Sequence, residues 1–91
     1  MEAISERLRL RTAELHWREV DGEVIALDGR RSIYMAANAA GALLWQALAA
    51  GATRMSLADE LVAAYGIERD RALADADAYV AEIEAQGLLE R

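Results

Sequence analysis

The chain has 91 residues, a formal net charge of −6 and 55% hydrophobic residues, enough for one domain with one modest core and too little for two. The acidic balance argues against nucleic acid as a partner, because phosphate contacts need a basic face, even though Arg7, Arg9, Arg11, Arg18, Arg30 and Arg31 gather in the first third. Cysteine is absent, which excludes disulfides, thiolate metal sites and cysteine nucleophiles. No apolar run approaches the ~18 residues of a membrane span, and Met1 to Arg11 lack the apolar centre of a signal peptide. A cytoplasmic location is therefore expected.

Arg7 to Thr12 alternates and puts Leu8 and Leu10 on one face, as a short strand or an extended arm. Residues 1–12 are set apart on this ground as an N-terminal arm, and 13–91 as the domain proper. Ala13 to Val20 predicts a strand with Leu15 and Trp17 on one side. Asp21-Gly22 is a tight-hairpin signal, since glycine takes positive φ without strain. Glu23 to Asp28 predicts a second strand, Asp28-Gly29-Arg30-Arg31 a turn, and Ser32 to Ala36 a third strand. The period then changes. Asn38 is a fitting cap for a helix over Ala39 to Ala50, carrying Leu44, Trp45 and Leu48 and ended by Gly51. Ser56 to Asp59 resembles a capping box for a second helix with Leu57, Leu61, Val62 and Tyr65, stopped by Gly66. Asp70 is placed to cap a third helix that runs to about Gln86, with Gly87 as terminator. The fold class expected is α+β: a three-stranded antiparallel sheet followed by a three-helix bundle, like a winged helix-turn-helix protein.

Catalytic constellations are missing. The lone histidine, His16, falls in a predicted strand, where packing or exposure explains it, and Ser56 is better explained as a cap than as a nucleophile. Asp75 and Asp77 point to different sides of a helix, so the acidic stretch through Glu82 and Glu84 reads as a solvated face and not a cation site. Phosphate-binding glycine loops are absent. No cofactor, metal or enzymatic activity is expected.

Asp21 to Leu89 resembles the PqqD-like family, also called RiPP recognition elements, the leader-peptide-binding domains of ribosomal peptide pathways. The resemblance begins with the hairpin DGEVIALD. It continues with Tyr34, Asn38, Gly41 and Trp45 at the family's spacing, then Gly51 and Tyr65-Gly66. It ends with Asp75, Tyr79, Ile83, Gly87 and Leu88. Ala37 stands where the family usually has leucine, and Ala76 where a larger aliphatic is common. The Tyr34 to Trp45 spacing looks most like stand-alone members from lasso-peptide pathways.

The resemblance implies a binding module that takes a leader peptide as an added strand along strand three, walled by helix three. An edge strand offers the free N–H and C=O groups that such a guest needs. The peptide-binding residues implied are Ser32, Ile33, Tyr34, Met35 and Ala36 on the strand. At ~100° per residue, Ala72, Ala76, Tyr79, Val80, Ile83 and Gly87 form a stripe expected to face the core. Arg71, Asp75, Ala78 and Glu82 form the adjoining stripe, the expected cleft wall, with Tyr79 and Ile83 at its border. The partners implied are a precursor peptide and a separate leader peptidase or modifying enzyme, with no nucleic acid and no membrane. Leaders of lasso-type relatives usually carry a Tyr and a Pro three residues later. The competing readings are a winged-helix DNA-binding regulator, which would need a basic third helix, and a PqqD-type chaperone in a radical-enzyme pathway.

Overall fold

The computed structural model describes residues 7–90. Residues 1–6 of the expected arm, Ser5 among them, lie outside the described residues, as does Arg91. Three strands, β1 (Leu15–Val20), β2 (Glu23–Asp28) and β3 (Ile33–Ala37), precede three helices, α1 (Ala39–Ala50), α2 (Arg54–Tyr65) and α3 (Arg69–Ala85). The sheet is an antiparallel meander in the order β1-β2-β3, so β1 and β3 are its edges. Asp21 and Gly22 both take positive φ, 53° and 80°, as a two-residue hairpin that matches strand twist requires.

The ladder register explains the burial. Trp17, Ala26 and Met35 are aligned across the three strands, and Glu19, Val24 and Ala37 form the next row. Paired residues share a face, so these rows look toward the helices, and Val24 and Ala26 are buried beneath them. Ile25, Leu27, Tyr34 and Ala36 lie on the opposite face, which none of the three described helices covers. β3 starts one residue later than expected because Ser32 adopts φ 55°, a left-handed turn conformation. β1 likewise starts only at Leu15, after Glu14 at φ 57°.

α1 begins as expected, the Asn38 side chain accepting the Gly41 N–H at 3.1 Å. The other two helix starts differ. α2 begins earlier, capped by Thr53, whose hydroxyl accepts the Ser56 N–H while the Ser56 hydroxyl accepts the Thr53 N–H. Ser56 is thus the third helical residue of the box and not its cap, and the hydroxyl of Ser56 fills the role usually taken by Glu or Gln. α3 is capped by Glu68 without a side-chain bond, and Asp70 sits in its first turn, where an acid complements the helix dipole.

The core is leucine set among alanine: Leu10, Leu44, Leu48, Leu57, Leu61 and Leu88 are buried with Ala42, Ala58, Ala72 and Ala76. Each fully buried leucine contributes about 1.5–3 kcal/mol relative to exposure, and the alanines let α2 and α3 pack closely. Trp17 meets Trp45 edge to face, with ring centres 6.1 Å apart. Ala72, Ala76 and Ile83 are buried as expected of their stripe, whereas Tyr79 and Val80 are half-buried. Gly87 lies past the end of α3 and is exposed. No helix among the described residues is long and apolar enough to cross a membrane.

Residues 7–11 are not a continuous strand. They form two isolated bridges, Leu8 with Ala52 and Leu10 with Leu89. The Leu10 N–H donates to the Leu48 carbonyl near the end of α1, which also accepts the Gly51 N–H, and Leu10 is fully buried in the core. Arg11, one of the arginines that gather early in the chain, turns inward. Its guanidinium donates to Asp28 at 2.9 Å and to the Ala13 carbonyl at 2.8 Å.

Candidate peptide-binding groove

β3 lies on α1, and α3 packs on α2 and more lightly on α1, but α3 makes no comparable packing with β3. The gap between them is a groove of about 660 Å³. Met35, Ala36 and Ala37 form one wall, Asp75, Ala78, Tyr79, Glu82, Ile83 and Gln86 the other. Trp45, Leu44, Val24, Ala26 and Leu61 supply an apolar floor. The helical phase puts the wall residues in place: Asp75, Ala78, Glu82 and Gln86 recur at intervals of three or four, hence on one side of α3.

The side-chain assignments divide cleanly. Met35 points to the helices and Tyr34 away from them. Tyr34 is 76% exposed and Ile33 40%. Of the eleven residues expected to meet a peptide, Met35, Ala36, Asp75, Ala78, Tyr79, Glu82 and Ile83 come together around the groove. Ser32 stays in the turn before β3, Ile33 and Tyr34 belong to the same edge without lining the cavity, and Arg71 is turned to Asp75, 3.6 Å away. Asp77 leaves the groove altogether and pairs with Arg54 of α2.

Sequence reasoning missed Asn38, Ala40, Gly41, Trp45 and Gln86 as lining residues. Gln86 was within reach, because it continues the 75–78–82 stripe by one turn. Gly41 has a reason visible only in three dimensions: a Cβ there would stand 3.1 Å from the Ala37 Cβ and 3.6 Å from the Tyr79 ring. The glycine therefore keeps the space between β3 and α3 open.

Among the described residues Asp75 and Glu82 are the only charged lining residues, so the charge they bring to the groove is of one sign. Burial first, and the Glu82 carboxylate second, push the Tyr79 phenol up to about 12, so it is a hydrogen-bond donor throughout the neutral range. The indole N–H of Trp45 is buried without an acceptor among the described residues. The surroundings offer apolar surface, a few donors and acceptors, and the free edge of β3.

The family model described as coenzyme PQQ synthesis protein D (PqqD) matches residues 23–89. The chain belongs to the PqqD family and is a PqqD-like RiPP recognition element. Among solved structures, a lasso peptide synthetase B1 complexed with its leader peptide is similar at 31% identity over 92% of this chain and 98% of that one, with a TM-score of 0.79. TbiB1 in complex with the TbiA(beta) leader peptide shares the fold at 22% identity, with a TM-score of 0.82 over 90% of this chain and 94% of that chain. A search of curated proteins finds no match.

Proposed function

We propose that this chain binds the leader segment of a ribosomal precursor peptide by strand addition along β3 and delivers it to a separate leader peptidase or modifying enzyme of a lasso-peptide pathway. The chain acts as a cytoplasmic binding module, and the chemistry belongs to its partner enzyme. The observation that carries this reading is the groove beside an uncharged edge strand: β3 reads Ile-Tyr-Met-Ala-Ala, and the α3 wall stands away from it across apolar floor. A guest strand placed there gains main-chain bonds from β3 and packs alternate side chains into the groove. Five residues of edge correspond to about 17 Å of extended peptide at ~3.4 Å per residue. Both solved relatives carry leader peptides in their complexes, which supports the same class of guest here.

The test is fluorescence anisotropy with a labelled synthetic peptide that carries a Tyr and a Pro three residues later, beside the same peptide N-methylated at alternate backbone nitrogens. The reading expects a Kd at or below about 1 μM, equivalent to roughly −8 kcal/mol, and a large loss on N-methylation. Equal binding of both peptides would remove strand addition. The PqqD match also favours a second reading, service to a radical enzyme in place of a peptidase. The gene beside this chain's own, protease or radical enzyme, separates the two.

A further inference from the structure

Asp28 is 1% exposed and Arg11 8%, a buried ion pair outside the groove that peptide binding by itself does not require. Its connections run to both sides of the groove. Asp28 is the last residue of β2 and stands opposite Ile33, the first residue of β3. One carboxylate oxygen accepts the Arg11 guanidinium at 2.9 Å and the Arg30 N–H at 3.0 Å, and the other accepts Arg31 at 2.9 Å. The carboxylate thereby organises the β2–β3 turn from which β3 departs. In the other direction, the Arg11 backbone N–H donates to the Leu88 carbonyl at 2.7 Å, and the Glu90 N–H donates to the Arg9 carbonyl at 2.7 Å. Leu88 is buried just past the end of α3. Arg11 thus links the foot of β3 to the tail of α3, the two walls that do not pack on each other.

We infer that the Arg11–Asp28 pair is a strap that fixes the separation of the groove walls, which makes Arg11 a positioning residue for the guest. The inference rests on the groove being the guest's site. Stability alone is a poor account of the pair. Desolvation largely cancels the attraction of buried ions, and apolar replacements are often neutral or better. Arg11 moreover leaves its Nε buried without an acceptor among the described residues. What a buried pair of fixed geometry supplies is a set distance, and a groove of set width spares the guest the cost of ordering its own walls.

The test compares guest affinity with stability. The variant Arg11→Met combined with Asp28→Leu replaces both charges by apolar groups and keeps the backbone bond to Leu88. Arg11→Lys keeps the charge but replaces the planar two-nitrogen fork that bonds Asp28 and the Ala13 carbonyl by a single ammonium on a flexible stem. Kd for the labelled Tyr/Pro peptide is measured by anisotropy, and the urea midpoint by circular dichroism. The strap predicts that the double variant keeps a midpoint near that of the wild type while Kd rises about tenfold or more, and that Arg11→Lys, folded under assay conditions, raises Kd by a smaller factor. Unchanged Kd in either folded variant, with tight binding by the wild type, overturns the strap and leaves the groove standing. No binding by the wild type overturns both.

Discussion

The sheet has two edges, and they are built differently. β1 reads Leu-His-Trp-Arg-Glu-Val, with Arg18 and Glu19 exposed in its second half. β3 carries no charge at all. Charged side chains on an edge strand discourage further pairing, and β1 has them while β3 lacks them. β3 alone also faces a second wall across an open groove. The difference teaches that an unpaired edge is not by itself a binding site. It becomes one when its side chains permit pairing and a neighbouring element receives the guest's alternate residues.

That contrast is most strongly challenged by filling the groove. Ala78 is exposed on the α3 wall, so Ala78→Trp adds bulk without disturbing the core. Leader-peptide Kd is expected to rise about 100-fold, close to 2.7 kcal/mol, with an unchanged circular dichroism spectrum. Next in size is an edge swap. Placing charge on β3 with Ala36→Glu is expected to weaken the peptide about tenfold. Removing charge from β1 with Arg18→Ile and Glu19→Val leaves Kd unchanged but makes the chain self-associate with concentration, as light scattering after size exclusion would show.

A smaller effect concerns Asp28 at the β2–β3 turn. The hydrogen bonds from Arg31 and then Arg11 hold the Asp28 carboxyl well below the ordinary carboxylate range, against the opposing effect of burial. A group whose folded pKa is depressed contributes stability above its unfolded pKa, about 3.9, and that contribution is lost as pH falls through the folded value. Urea midpoints of the wild type should therefore be insensitive to this group above about pH 5 and decline below about pH 4, with a shallower acid decline in Asp28→Asn. The smallest effect is expected at the α2 cap. Thr53→Ala removes the reciprocal bonds with Ser56 and should cost about 0.5–2 kcal/mol of stability, with Kd unmoved because α2 contributes only floor to the groove.

Much of this architecture was legible in the residues, for reasons of period and turn chemistry. Alternation placed the strands, Asp21-Gly22 the hairpin, and Asn38 with Gly51 the limits of α1. The groove wall followed from helical phase: Asp75, Ala78 and Glu82 fall on one side of α3 whatever packs behind them. What escaped was non-local. Thr53 displaced Ser56 as cap because both are hydroxyl residues and the local pattern permits either. Arg11 was read only as one of the early arginines because nothing in its neighbourhood announces Asp28, 17 positions away. Gly41 was named only for the family's spacing, and its role in keeping the groove open depends on Tyr79 of α3 standing across from it.

Amide hydrogen exchange of the chain with and without the leader peptide, resolved by residue in NMR spectra, bears most directly on the account. The account predicts new protection confined to the outward-facing amides of Ile33–Ala37, with the amides of Leu15–Val20 exchanging as before. Protection appearing along Leu15–Val20, or a tightly bound peptide that leaves Ile33–Ala37 unprotected, would contradict it.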